Sequence, residues 1–380
     1  MGLLVGAIKE TYPGERRVAI TPKSIDLLTK MGVGVIIEKN AGISAGFPDA
    51  DFEARGAQME PNADAVRQKA HVLLTVRIPD PQFLRPEQVV IGFADPLSDP
   101  KGAAAVAASG ATLFAMELVP RITRAQSMDA LSSMASIAGY KAVILAAEAL
   151  PRMFPMMMTA AGTIPAARIL VLGAGVAGLQ AIATARRLGG VVMGYDVRSA
   201  VKEQIESLGA KFLEIRIDGS GEGEGGYARQ LTDAQIRSQR EQMANALREQ
   251  DVVITTAAVP GRKAPILLTK EMVQAMPPGS VVVDIAAERG GNCELTKTGE
   301  TIEAHGVTII GPVNLPSSVP YHASQMYARN LVTFLKLLVN KEKALQIDTN
   351  DEVVRESLVT QGGKVVHPKV AALLGTEVGA

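Results

Sequence analysis

Residues 168–196 read RILVLGAGVAGLQAIATARRLGGVVMGYD, and three patterns follow one another there. RILVL is a short run of branched apolar residues, of strand length. VAGLQAIATARRLG spaces its apolar and small residues as a helix does and closes on a glycine. VVMGY is strand-like again. Strand, helix and strand within about thirty residues define a parallel βαβ unit.

Between the first strand and the helix stands Gly173-Ala174-Gly175-Val176-Ala177-Gly178. A bare GxGxxG is a weak signal, but a strand before it and a helix after it are the context its chemistry needs. The first glycine permits a tight turn, the second lets the backbone approach a pyrophosphate, and the third lets helix and strand pack closely. The helix N-terminus then offers free N–H groups and a partial positive charge to phosphate. Asp196 ends the second strand, eighteen residues past Gly178. A carboxylate there accepts hydrogen bonds from ribose hydroxyls and repels a 2′-phosphate, which favours NAD over NADP. Val197 and Arg198 follow it in the expected cofactor-binding stretch, and the Arg198 charge softens that preference. The segment Thr255-Thr256-Ala257-Ala258 ends another strand, DVVIT. Small residues there serve either backbone approach to the cofactor or plain sheet packing.

Working outward, the same alternation recurs. LLVGAIK, VGVIIEK, HVLLTVR, VVIGFAD and ATLFAMEL read as strands. Helix-like segments separate them, such as TPKSIDLLTKMG with Thr21 as cap and Pro22 in the first turn. AKFLEI, DVVITTA, GSVVVDIA and HGVTIIG are further strands. SQMYARNLVTFLKLLVNKEKAL reads as one long helix, and ESLVTQGGKVVHP as a hairpin. The predicted fold is α/β, with two doubly wound parallel-sheet (Rossmann-like) domains and a cleft between them. Residues 1–137 with 318–380 form a discontinuous N-terminal α/β domain, and 138–317 the NAD(H)-binding Rossmann domain. IDGSGEGEGGYARQ, rich in glycine and acid, reads as a mobile loop.

Composition removes several classes. Net charge is zero and aromatic residues are 4%, which argues against nucleic acid as a partner. Cys293 is the one cysteine, so neither a disulfide framework nor a thiolate metal site is expected. The N-terminus does not read as a signal peptide, and no clean run of about 20 apolar residues is found, so direct membrane insertion is not expected. An alcohol or amine dehydrogenase needs a proton-transfer group. Of the four histidines, His71, His305 and His367 fall at turn positions, and His322 alone is an acid–base candidate.

RITRAQSMD, residues 121–129, is polar and charged between a strand and a small-residue helix. Together with KETYPGERRVAITP, AGYKAV, FPMMMTAAGTIPAARILVLGAGVAGLQAIATARRLG, ESLGAKF, PGSVVVDIAAERGGNCELT and GPVNLPS, it resembles the alanine dehydrogenase and transhydrogenase superfamily over nearly the whole chain. Within that superfamily it is most similar to the soluble NAD(H)-binding alpha-1 subunits of proton-translocating transhydrogenases. The resemblance implies that Arg121, Gln126 and Asp129 work at the nicotinamide, with Ser132 and Tyr140 as contacts and Tyr227 closing a mobile loop whose wording departs from the family's. An Arg121–Asp129 pair is expected to fix the loop. It further implies NADP(H) on a partner subunit, membrane-spanning partners including the NADP-binding beta subunit, a homodimer, and a peripheral place on the cytoplasmic face of the inner membrane. The rival is a soluble alanine-type dehydrogenase. Arg17 matches its substrate arginine, but its lysine falls on Thr75 (or, with a two-residue slip, Arg77) and its histidine on Asp95. A third reading is an NAD-sensing regulatory subunit.

Overall fold

The computed structural model describes residues 2–215, 233–258 and 261–375. They divide into two compact units, 1–134 with 316–380, and 135–315.

The first unit opens with β1 (Leu4–Ala7), β2 (Gly34–Glu38), β3 (Gln58–Glu60), β4 (Val72–Arg77), β5 (Val89–Phe93) and β6 (Thr112–Ala115). All pair in parallel, in the order β6-β5-β4-β1-β2-β3. Parallel pairing needs crossovers, and the helices Pro22–Lys30, Ala63–Lys69 and Pro100–Ala108 supply them. Pro22–Lys30 starts as its sequence predicts, with Thr21 as N-cap, Pro22 in the first turn and Ser24 completing a capping box.

The second unit begins within the 20-residue helix Ala130–Ala149. It holds β7 (Met157–Thr159), β8 (Gly162–Ile164), β9 (Arg168–Leu172), β10 (Val191–Tyr195), β11 (Lys211–Phe212), β12 (Val252–Thr255), β13 (Val281–Asp284), β14 (Thr301–Ala304) and β15 (Val307–Ile310). Seven of these make one sheet, β11-β10-β9-β12-β13-β15-β14, parallel except for the edge strand β14. β7 and β8 form a separate antiparallel hairpin. Side chains alternate across a strand, and β9 shows what this does. Ile169 and Val171 enter one core with Ala142, Val143, Ala181 and Ile182. Leu170 and Leu172 enter the other, with Met243, Leu247 and Leu268. Burial on both faces is why the strand reads as a continuous apolar run. The chain then returns to the first sheet with β16 (Leu358–Gln361) and β17 (Lys364–Val365), a hairpin pairing antiparallel to β6.

Two expectations are corrected. The long helix covers Pro320–Leu335 and ends in a single 3-10 turn, so VNKEKAL is not helical. There Lys343 takes a positive φ of 62°, and Asn340 Oδ1 accepts from the Ala344 amide, a local turn that breaks helical bonding. Second, the sequence showed no membrane-length apolar run, yet the helix Ala130–Ala149 passes that test by length and composition. Within the second unit it gives Ala138, Ala142, Val143 and Ala146 to the core, and it carries Lys141 and Glu148.

Candidate nucleotide site

The turn after β9 is built as its glycines require. Gly173 has φ +99°, and a Cβ there would lie 2.5 Å from Thr256 Oγ1. A Cβ on Gly178 would meet the Gly173 carbonyl oxygen at 1.8 Å, so only glycine lets the helix Val176–Arg187 approach the turn this closely. Gly175 differs from both. It is the N-cap, makes no side-chain capping bond, and a Cβ there would meet nothing within 4 Å. The start of this three-turn helix is therefore open beside Gly175, and the unpaired amides of a helix N-terminus suit a pyrophosphate. Gly175 and Val176 are exposed, and Ala177 and Gly178 sink progressively into the unit. Gly139 adds a constraint that sequence reasoning missed. Its Cβ would lie 2.1 Å from the Ala177 carbonyl oxygen, so the helix Ala130–Ala149 packs directly on this turn one residue before Tyr140. Tyr140 is 43% exposed.

Asp196 stands just past β10. Its Oδ2 accepts from the Ala174 amide at 2.8 Å, which ties the carboxylate to the glycine turn. Its Oδ1 accepts from the Arg198 amide at 2.9 Å, and the Arg198 guanidinium completes an ion pair at 3.0 Å. Burial alone would raise this carboxyl. The Arg198 side chain and the two amides together outweigh burial and hold it below the usual carboxylate value. The Asp196 side chain is 8% exposed and that of Arg198 60%, so the acid is fixed while its partner lies at the surface. Val197 is exposed.

The loop after β12 rests against the same turn. Thr256 Oγ1 donates to the Gly173 carbonyl oxygen at 3.1 Å. Asn292, which sequence reasoning also missed, holds Ala257 from the other side. Its Oδ1 accepts from the Ala257 amide at 2.9 Å and its Nδ2 donates to the Ala257 carbonyl oxygen at 2.8 Å. Ala258 follows and is exposed.

In the first unit, residues Thr123–Met128 form a 3-10 turn with Ala125 and Met128 buried beneath it. Arg124 pairs bidentately with Asp351, at 2.9 and 2.8 Å. Asn330 Nδ2 donates to the Ser127 carbonyl oxygen at 2.9 Å. Arg121 and Gln126 are exposed. The expected Arg121–Asp129 pair does not form. Asp129 instead caps the helix Ala130–Ala149, accepting from the Ser132 amide at 2.8 Å and from the Ser132 hydroxyl at 2.6 Å. A short side chain one position before a helix satisfies its free amides more readily than it reaches an arginine eight residues back. Tyr227, with the glycine-rich stretch around it, lies outside the described residues.

The acid–base candidates fall into structural places. His71 Nδ1 accepts from the Leu4 amide at 3.0 Å. His305 turns the β14–β15 hairpin with φ +55°. His367 stands at the N-cap position of the helix Pro368–Leu373 without a side-chain capping bond, and burial pushes its imidazole down. His322 sits exposed in the first turn of Pro320–Leu335, edge-on to Tyr321. Arg17 is buried in an ion pair with Glu15 at 2.6 Å, and Thr75 is fully buried.

Two doubly wound α/β units, one carrying a dinucleotide-type glycine turn with its acidic partner, define a nucleotide-binding class of protein. Residues 6–138 match the family described as Alanine dehydrogenase/PNT, N-terminal domain, and residues 142–368 match Alanine dehydrogenase/PNT, C-terminal domain. The chain belongs to the alanine dehydrogenase/PNT family. It is 45% identical over 371 residues to the first part of NAD(P) transhydrogenase subunit alpha of Rhodospirillum rubrum, covering 95% of this chain and 97% of that one. The structure of a transhydrogenase from Sinorhizobium meliloti superposes with TM-score 0.87 at 47% identity, covering 96% of this chain and all of the other. An L-alanine dehydrogenase structure superposes with TM-score 0.83 at 26% identity, covering 98% and 99%.

Proposed function

We propose that this chain is the NAD(H)-binding component of a proton-translocating NAD(P) transhydrogenase. The observation that carries the reading is the second unit's glycine turn. A Cβ at Gly175 would meet nothing within 4 Å, and the fixed Asp196 carboxylate is bonded to Ala174 in the same turn. Relatives alike over nearly the full length support the transhydrogenase assignment.

In this reading Gly173, Ala174, Gly175, Val176, Ala177 and Gly178 receive the pyrophosphate. Asp196, Val197 and Arg198 receive the adenosine ribose, and Thr256, Ala257 and Ala258 flank the turn on its other side. When bound, NADH supplies a hydride to NADP+ held by a partner subunit. Transfer between two nicotinamides releases no substrate proton, so this chain's task is positioning, without an acid or base. Gln126 is the group we assign to setting that geometry, on a turn held by Asn330 and by the Arg124–Asp351 pair. Arg121, Ser132 and Tyr140 complete the nicotinamide contacts, and Asp129 acts by fixing Ser132. The partners are membrane-spanning transhydrogenase subunits, including the NADP-binding beta subunit. The chain works as a homodimer at the cytoplasmic face, and proton movement is coupled through those partners.

The amino-acid dehydrogenase reading lacks its chemistry here. The matched lysine position holds Thr75 or, with a two-residue slip, Arg77, the histidine position holds Asp95, and Arg17 is already engaged by Glu15. The deciding experiment adds the NADP-binding partner subunit to the full chain. NADH should then reduce an NADP+ analogue, while pyruvate with ammonia should leave NADH unchanged. Turnover with pyruvate and ammonia alone would replace this reading with the dehydrogenase. Binding of NADH without turnover in either assay would replace it with a sensor.

A further inference from the structure

We infer that Asn292, held in place by the buried carboxylate of Asp284, is a positioning residue for the half of the NAD(H) site that lies on the β12 side of the glycine turn. The inference rests on the reading that the second unit binds NADH, and adds to it a residue outside the turn and its acid.

Asp284 ends β13 and is fully buried. A buried charge is tolerated only when its lone pairs are satisfied. Here they are met entirely by neutral donors. Oδ1 accepts from the Thr255 hydroxyl at 2.9 Å and the Ala286 amide at 3.1 Å. Oδ2 accepts from the Asn292 amide at 2.8 Å, the Cys293 amide at 3.0 Å and the Thr296 hydroxyl at 2.7 Å. Gly291 makes this possible. A Cβ there would lie 2.7 Å from Oδ2, so only glycine lets the chain fold over the carboxylate. One acid therefore fixes both the end of β12, through Thr255, and the backbone of Asn292.

Asn292 is itself fully buried, and its side-chain amide is fully used. Oδ1 takes the Ala257 amide, and the two Nδ2 hydrogens go to the carbonyl oxygens of Ala257 at 2.8 Å and Pro265 at 2.7 Å. The side chain pairs with Ala257 as a neighbouring strand would, just where β12 has run out. It thereby sets the backbone of Thr256–Ala258 against the Gly173 turn.

Strand order says which part of a dinucleotide this touches. β9 carries the glycine turn, with β10 and Asp196 on one side and β12 with its loop on the other. Adjacent strands lie about 4.8 Å apart, so the two loops stand roughly 10 Å apart across the turn. A dinucleotide read at its adenosine ribose by Asp196 extends its other half over the β12 side. Asn292 should therefore govern the nicotinamide half and leave the adenosine half alone.

The test measures NADH and ADP binding to the full chain by calorimetry, alongside the melting temperature. Asn292→Ala should weaken NADH by about tenfold or more and ADP by less than about twofold. Asn292→Asp keeps the acceptor for the Ala257 amide but opposes two carbonyl oxygens with a carboxylate, and should show the same split. If Asn292→Ala does not fold, Thr296→Val removes a single donor to Asp284 and should give the split on a smaller scale. Equal losses for NADH and ADP would reduce Asn292 to a structural residue and overturn the inference, as would unchanged binding of both. Failure of the wild-type chain to bind NADH would instead overturn the reading of the second unit.

Discussion

At the residue scale, the proposed function gives nucleotide choice to Asp196. Its carboxylate is held by the Ala174 amide and by Arg198, whose side chain would share it with a bound ribose in that proposal. Hydrogen bonds to a charged group contribute roughly 1.5–3 kcal/mol. Asp196→Ala should therefore weaken NADH by about 10- to 100-fold and narrow the gap between NADH and NADPH, both read by calorimetry. Equal wild-type affinities for the two nucleotides would remove Asp196 from this role. Glu10 and Glu117 are a second pair of informative acids. Each accepts two amides at the carboxyl end of a neighbouring strand in the first unit, Glu10 from Val76 and Arg77, Glu117 from Ala94 and Asp95. Burial raises both carboxyls to about 7, against the lowering effect of those amides. A raised acid binds its proton more tightly when folded, so its contribution to stability is full below the unfolded value of 4.5 and is lost as pH rises through about 7. His367 works in the opposite direction: burial holds its imidazole below 6.5, so its contribution is full above 6.5 and is lost as pH falls from there through the lower folded value. Comparing wild type with Glu10→Gln cancels the histidine. The difference in melting temperature should move in the variant's favour from about pH 5 to about pH 8. A constant difference would show that Glu10 does not titrate there.

At the scale of elements, the two outer glycines of the turn and the middle one should fail differently. Gly178→Ala drives a Cβ into the Gly173 carbonyl, so the melting temperature should fall, with a cost of about 1–3 kcal/mol, and NADH binding should be lost. Gly175→Ala meets nothing, so the fold should keep its stability while NADH affinity falls. Equal behaviour of the two variants would mean that the open face at Gly175 is not where the cofactor approaches. The 121–129 turn makes a third case. A displacement of about 1 Å in a reacting pair can cost roughly 100-fold in rate. Loss of one neutral hydrogen bond costs only about 0.5–1.5 kcal/mol of binding. Gln126→Asn should thus cut the single-turnover transfer rate steeply while NADH affinity moves by less than about tenfold; a full rate would make the turn a structural strap. How much the sequence made legible follows from how local each signal is. The βαβ stretch declared itself because strand period, helix period and glycine spacing all lie within thirty residues. The Asp129 cap was equally local but was missed, because an arginine in the same stretch offered a more conspicuous partner. Asn292 and Asp284 were invisible for a different reason. Their partners at Ala257 and Thr255 lie 35 and 29 residues away and meet only when β12 and β13 pair. Gly139 looked like one small residue among many in its helix, and only the contact with Ala177 shows why it is glycine.

At the scale of the whole molecule, the proposed division of labour is that this chain binds one nicotinamide nucleotide and leaves the second to another subunit. Among its described residues the second unit has one strand–turn–helix with glycines at the required spacing, and the first unit offers a turn with exposed Arg121 and Gln126. Because no proton-transfer group is needed, the reaction should carry its hydrogen from donor to acceptor without passing through water. The most direct test uses NADH deuterated at the transferring C4 position, the full chain, its NADP-binding partner subunit and NADP+ in ordinary water. The account predicts that the reduced acceptor carries the deuterium and that the solvent carries none. Recovery of an unlabelled acceptor, or reduction of pyruvate and ammonia by the chain without its partner, would contradict it.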